Sequence, residues 1–173
     1  MSEFEFKRFI RDVPDFPKPG IVFKDITPLL KSPEAFSRVI ENMTAPFRHA
    51  GITKVAAIES RGFIFGAPVA QALGAGFIPI RKPGKLPWTT FRNEYDLEYG
   101  TDALEIHRDA LDSTDRVLLV DDVLATGGTA AAASLLIEML GAHTAGYSML
   151  IELSFLKGRE RLQKIPFHAT IAY

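Results

Sequence analysis

The stretch of the chain best equipped for chemistry is VLLVDDVLATGGTAAAA, residues 117–133. Four apolar residues run into Asp121 and Asp122, and a small-residue turn then opens a helix. Adjacent carboxylates at the end of a buried strand repel each other and lose solvation, so the arrangement calls for something to receive them. The turn Ala125, Thr126, Gly127, Gly128, Thr129 lets backbone N–H groups converge at a helix N-terminus. The bare glycines allow an anion to approach, and the two threonines add hydroxyl donors. It has no lysine, unlike the GxxxxGK[ST] loop of nucleotide hydrolases. A helix dipole supplies only about 0.3–1 kcal/mol, up to about 2 when partly buried, so hydrogen bonds must provide most of the grip. Carboxylates repel phosphate and suit hydroxyls instead; each charge-assisted hydrogen bond to a diol is worth about 1.5–3 kcal/mol. Acid pair plus anion loop spells a ribose 5-phosphate. The plainer reading is that the pair begins a turn and caps a helix, and this stretch alone leaves both open.

Three further clusters carry polar chemistry. ESRGF places Ser60 and Arg61 on a loop after a short apolar run, where the arginine either serves an anion site or pairs with Glu59 at the surface. RKPGKLP gathers Arg81, Lys82 and Lys85 within five residues, the densest positive cluster in the chain. Such runs are usually solvated loops, yet a polyanionic substrate would need local positive charge. Glu98 and Tyr99 follow in LEYG; a lone glutamate is by default an exposed strand residue. His49, His143 and His168 have no spaced partner for a metal site, and His107, alternating with Leu104 and Ile106, is expected to be exposed.

These residues need a scaffold, and the composition permits one. The chain has 173 residues, which suits one domain with one core. Twenty basic and twenty-one acidic side chains give a formal net charge of -1, so no global field favours nucleic acid or membrane and any anion site must be local. There is no cysteine, which removes disulfides and thiolate chemistry. The N-terminal MSEFEFKRFI has no sustained apolar run. A soluble cytoplasmic protein is the expectation.

The elements read in order. A short helix opens the chain, and DVPDFPKPG (12–20), with three prolines and a glycine, excludes regular structure. IVFKDITPLL (21–30) alternates loosely up to Pro28. A helix starts at Ser32 as N-cap with Pro33 in its first turn and closes at Gly51, with Phe36, Val39, Ile40 and Met43 on one face. Strands are predicted at 54–60, 76–82, 116–122 and 143–153, with helices after the first and third; the tail offers a helical turn and a last strand. The polar segment 83–102 is too long for a plain connection and reads as a lid or a flap with its own hairpin. The pattern is α/β, a mostly parallel sheet covered on both faces, with acids and anion loop beyond the carboxyl ends of its strands.

VLLVDDVLATGGT resembles the thirteen-residue phosphoribosyl pyrophosphate signature of the type I phosphoribosyltransferases. DFPKPGIVFKDITPLL, ESRGFIFGAPVA, IRKPGKLP and YDLEYGTDALEIHRDAL resemble, in order, the successive blocks of that family's adenine-using branch. The likeness runs from about Asp15 to Gly141, with a looser tail. It implies the family fold: a single domain with a small N-terminal hood (about 1–30) and a flexible loop (about 81–99). It also implies transfer of a 5-phosphoribosyl group from phosphoribosyl pyrophosphate to adenine, giving AMP and pyrophosphate. Mg2+ would be held mainly by substrate oxygens, and the assembly would be a homodimer. Carried over by resemblance, residues 125–129 hold the 5-phosphate while Asp121 and Asp122 orient the ribose. Ser60, Arg61, Arg81, Lys82 and Lys85 serve the pyrophosphate. Glu98, beside Tyr99, takes or polarises the proton of the reacting base nitrogen. Phe23 and Val123 sandwich the purine, and the backbone of Val22 and Lys24 reads its edge; family members often carry arginine where this chain has Lys24.

The same scaffold could prefer hypoxanthine, guanine or xanthine, a choice set by how the pocket hydrogen-bonds the base. It could also serve as an effector-binding regulator of gene expression, but that would require a basic DNA-binding segment, and this chain has neither the length nor the charge for one.

Overall fold

A computed structural model describes residues 3–97 and 100–173. Its centre is a five-stranded, wholly parallel sheet in the order β4-β3-β7-β8-β9. The strands are β3 (Lys54–Ile58), β4 (Gly76–Ile80), β7 (Arg116–Leu124), β8 (His143–Glu152) and β9 (Phe167–Ala172). Parallel strands need crossovers, and buried ones read as continuous apolar runs. Val55, Ala56 and Ala57 of β3, and Val117 to Val120 of β7, are fully buried, as that rule requires.

Strand alternation splits the core in two. Ala56, Ile58, Val117 and Leu119 face helix α5 (Gly128–Met139) and the buried Leu104 and Ile106. Val55, Ala57, Leu118 and Val120 face helices α3 (Pro33–Thr44) and α4 (Arg61–Leu73). Thus α4, which follows β3, and α5, which follows β7, lie on opposite faces. The crevice between the ends of β3 and β7 is therefore the point where the winding reverses, the place where open α/β sheets bind ligands.

Helix α3 starts as its sequence dictates: the Ser32 side chain accepts a hydrogen bond from the Ala35 N–H, with Pro33 in the first turn. It is shorter than expected, giving way at Ala45–Phe47 to a 3-10 turn that contains Pro46, and Gly51 takes φ +65° beyond it. The N-terminal part forms α1 (Glu3–Lys7), an antiparallel pair β1 (Arg11–Pro14) and β2 (Val22–Asp25), and α2 (Thr27–Lys31). The long polar segment becomes a second antiparallel hairpin, β5 (Thr90–Leu97) with β6 (Gly100–His107). Its expected strand 104–107 is the end of β6. The tail makes two 3-10 turns, Ser154–Leu156 and Gly158–Arg161, before β9.

Two sequence expectations are corrected. Residues 12–14, within the proline-rich stretch expected to exclude regular structure, belong to β1 and pair with β2. His107 is not exposed; it is half-buried, and its Nε2 is shielded without a hydrogen-bond partner. The alternation of 104–107 holds, with Leu104 and Ile106 fully buried, but the other face of β6 is itself partly covered.

Helix α4 approaches β3 so closely that a Cβ on Gly66 would lie 2.4 Å from the Ala57 Cβ. Gly66→Ala is therefore expected to lower unfolding free energy by about 1–3 kcal/mol, read by urea denaturation.

Candidate active site

The register Ala57↔Val120 between β3 and β7 brings the loop after β3 level with the acid pair of β7. Beyond these strand ends lies a cavity of about 460 Å³, lined by Phe23, Ile58, Glu59, Ser60, Arg61, Lys82, Tyr95, Asp102, Asp121, Asp122 and Thr129. Asp121 and Asp122 still belong to β7, which runs two residues past its expected end at 122. Side chains alternate along a strand, and the two acids differ accordingly: Asp122 is buried, while Asp121 opens onto the cavity and is enclosed by protein elsewhere.

The acid pair is electrostatically loaded. Burial, then the Asp122 charge, pushes the Asp121 carboxyl well above the usual range. Burial also raises Asp122, opposed chiefly by Arg61. Arg61 Nε sits 2.7 Å from Asp122 Oδ2, yet that buried oxygen has no donor in hydrogen-bonding alignment. Asp121 Oδ1 accepts the Asp122 N–H at 2.9 Å. Its position depends on Gly62, where a Cβ would lie 2.7 Å from Asp121 Oδ1. Arg61 opens α4, and its guanidinium lies 4.8 Å above the Phe23 ring. The surface alternative for Arg61 is thereby settled: Glu59 pairs with Arg81 instead.

The turn after β7 forms a second, smaller recess of about 90 Å³, lined by Asp121 and residues 123–130. Gly127, at φ +83°, precedes the first turn of α5 and leaves the N–H groups of that turn facing the recess. The loop is backed by the tail: a Cβ on Gly127 would lie 2.3 Å from the Gly158 carbonyl oxygen, and one on Gly158 2.3 Å from that of Ala125. Asp121 and Thr129 line both this recess and the larger cavity, so the two are continuous.

A third, more apolar cavity of about 620 Å³ shares Ala125 and Thr126 with the recess and adds Ile21, Val22, Lys24, Leu153, Phe155, Leu156 and Tyr173. Successive β2 side chains diverge, so Val22 and Lys24 face this space while Phe23 faces the acid pair. Phe23 lines the first cavity and Val123 the recess, which is continuous with it through Asp121 and Thr129. The Lys24 ammonium pairs with Asp12 at 2.7 Å and lies 3.8 Å over the Tyr173 ring. Its charge is spent on Asp12 and the Tyr173 ring.

The loop after β4 supplies cations already held by acids. Arg81 lies 2.8 Å from Glu59, whose other oxygen accepts the Lys82 N–H at 2.6 Å. Burial alone would raise Glu59, but the Lys82 amide and Arg81 outweigh it and hold its carboxyl low. The Lys82 ammonium pairs with Asp102. Lys85 is exposed, and its carbonyl accepts from Arg81 at 3.0 Å. Glu98 and Tyr99 lie outside the described residues. Tyr95, Asp102, Glu59 and Gly158 join the site without having been singled out from sequence; Tyr95 and Asp102 face each other in the hairpin register, a pairing that only a located turn could have exposed.

Comparison with known proteins agrees with this geometry. Residues 25–165 match the family model described as a phosphoribosyl transferase domain. The adenine phosphoribosyltransferase of Roseiflexus sp. is 60% identical over 164 residues, covering 95% of each chain. The crystal structure of adenine phosphoribosyltransferase from Thermoanaerobacter pseudethanolicus superposes with a TM-score of 0.96 at 50% identity, over 99% of this chain and 100% of that one. The Saccharomyces cerevisiae enzyme, complexed with an imino-altritol bisphosphate and adenine, gives a TM-score of 0.92 at 40% identity, covering 98% of both chains. The fold and the site define a phosphoribosyltransferase. Within that class, the chain belongs to the adenine phosphoribosyltransferase family.

Two acids forced together in a shielded site cost stability in the free protein. Because the folded pKa of Asp121 lies above its unfolded value, the native state holds the extra proton. Its ionisation therefore costs stability as pH rises from the unfolded value through the folded one, and the cost persists above both. Asp121→Asn is expected to raise the melting temperature at pH 7 while weakening AMP binding, checked by calorimetry of the two events.

Proposed function

We infer that this chain transfers the 5-phosphoribosyl group from phosphoribosyl pyrophosphate to adenine, releasing pyrophosphate and forming AMP. The observation that carries this reading is the convergence, at one crevice, of an anion recess, a buried acid pair and a cationic loop. The yeast relative's complex with a sugar bisphosphate and adenine has the same pairing of ligand types.

The recess at residues 125–129 holds the 5-phosphate through N–H groups and threonine hydroxyls. Asp121 and Asp122 accept the ribose hydroxyls. Arg61, with Ser60, and the cluster Arg81, Lys82 and Lys85 receive the pyrophosphate. As the C1′–oxygen bond to pyrophosphate breaks, positive charge grows on the sugar, and the acid pair below it stabilises that charge. The adenine nitrogen then bonds to C1′ and loses its proton, which Glu98 accepts. Phe23 and Val123 flank the purine, and the apolar cavity beside Val22, Ala125 and Leu156 adjoins them. Val22 and Lys24 read the base through main-chain groups, so the lysine that replaces the family's common arginine leaves specificity intact.

Mg2+ fits the donor set. It favours one or two carboxylates together with phosphate oxygens and water; substrate oxygens would supply most of the ligands, with Asp121, which lines the cavity, as the carboxylate within reach. The ion would neutralise pyrophosphate charge as the leaving group departs. The reading extends to a homodimer in the cytoplasm; a chain without cysteine accords with a reducing compartment. Among the described residues, no helix is long and apolar enough to cross a membrane.

The decisive assay is AMP formation from adenine and phosphoribosyl pyrophosphate, with hypoxanthine, guanine and xanthine compared and Mg2+ present or withheld. Adenine is expected to be preferred; equal rates on a 6-oxopurine would overturn the assignment. Glu98→Gln is expected to lower kcat about ten- to a thousandfold, and full activity in that variant removes Glu98 from the mechanism.

A further inference from the structure

The cavity of about 460 Å³ contains a polar chain that the transfer reaction does not call for. Thr129, from the phosphate recess, donates its hydroxyl to the Tyr95 hydroxyl at 3.3 Å. The Tyr95 hydroxyl donates to Asp102 Oδ2, also at 3.3 Å. The same oxygen receives the Lys82 ammonium. Tyr95 and Asp102 are direct cross-strand partners in the hairpin. Asp102 is pinned from its other side, where Oδ1 accepts the Ala103 N–H at 2.8 Å. The chain thus links the recess for the 5-phosphate to a cation assigned to the pyrophosphate, and its members Thr129, Tyr95, Asp102 and Lys82 all line one cavity.

We propose that Asp102 and Tyr95 occupy, in the empty site, the roles that substrate oxygens take in the filled one, so that Asp102 sets the affinity for pyrophosphate by competing with it for Lys82. This rests on the phosphoribosyl-transfer reading above and assigns a residue that reading leaves without a role. The competitor is built to lose. Lys82 and Asp102 are both partly exposed, at 39% and 27% of their side-chain surface, so their pair is weak and screened. A polyanion offers Lys82 several charged oxygens where Asp102 offers one. The lysine has a flexible four-carbon stem and three donors free to turn, whereas the carboxylate is held by Ala103. Lys82 swings to the ligand, and Asp102 stays behind as a negative charge facing it. That residual repulsion favours release of pyrophosphate after transfer.

The sign of the effect is diagnostic. Loss of a merely structural ion pair weakens binding or stability, while loss of a competitor tightens binding. Pyrophosphate inhibition of AMP formation, with phosphoribosyl pyrophosphate varied, is measured for the wild-type protein, Asp102→Asn, Asp102→Glu and Tyr95→Phe. Asp102→Asn is expected to lower the pyrophosphate inhibition constant about three- to tenfold, and Asp102→Glu, which keeps the charge, to stay near wild type. Tyr95→Phe frees the Thr129 hydroxyl and is expected to tighten AMP binding in calorimetry, which provides a second reading if Asp102→Asn folds poorly. Unchanged or weaker pyrophosphate inhibition in folded Asp102→Asn, or unchanged AMP affinity in Tyr95→Phe, overturns the proposal. A wild-type protein that forms no AMP would instead overturn the reading on which it rests.

Discussion

The site is organised around two carboxylates that the fold holds next to each other against their mutual repulsion. Asp121 and Asp122 lie near the end of a strand, directly after its fully buried run Val117 to Val120, so neither can retreat into solvent without unpairing β7 from its neighbours. Burial favours protonation of both, and at Asp121 the neighbouring charge adds to it. One cation, Arg61, approaches at 2.7 Å, and the geometry leaves an oxygen of Asp122 without an aligned donor. Free energy stored as unmet hydrogen bonding can be released by a ligand that presents hydroxyl groups. A sugar diol has that chemistry, and a phosphate does not.

A chain with a net charge of -1 cannot attract a polyanion through its overall field. It must place cations locally, and bare cations in a concave site would repel one another. The structure resolves this by giving three of them a resident acid: Arg61 has Asp122, Arg81 has Glu59, and Lys82 has Asp102, while Lys85 is exposed to solvent. The acids are not equivalent. Glu59 is largely shielded and accepts two charge-assisted or amide hydrogen bonds, so its grip on the loop is structural. Asp102 is more exposed and bound through a lysine, a partner that can leave. One ion pair thus fixes the loop while the other yields.

How far the sequence could be read depended on how locally each feature is encoded. The parallel sheet was legible because buried strands announce themselves as short apolar runs, and helix α3 because Ser32 and Pro33 specify its start. The acid pair and glycine turn were legible because their chemistry lies in consecutive residues. Tyr95, Asp102 and Gly158 were not legible: their importance arises from hairpin register and from a tail that folds back on the 125–127 turn, contacts between residues far apart in sequence. His107 was misplaced for the same reason, since alternation reports a strand's two faces but not what packs on each. The Phe23–Val123 sandwich came from resemblance alone, because an apolar residue on a strand reads as core whether or not a ligand packs on it.

The tail is more than a closing strand. Glu152, buried at the end of β8, accepts both the Nε and the Nη2 of Arg159 at 2.6 Å, and the guanidinium lies 3.9 Å from the Phe167 ring centre. Such a fork is directional as well as strong. It fixes the turn that presents Gly158 to the backbone of residues 125 and 127, where neither partner has room for a side chain. The preceding turn contributes Phe155 and Leu156 to the apolar cavity. One short segment therefore shapes the floor of the phosphate recess and a wall of the space beside it. A displacement of that segment by a fraction of an ångström would be felt in both places. On the proposed reading this one segment backs both the phosphate and the base, and the distance between them must be right for a nitrogen to reach the anomeric carbon.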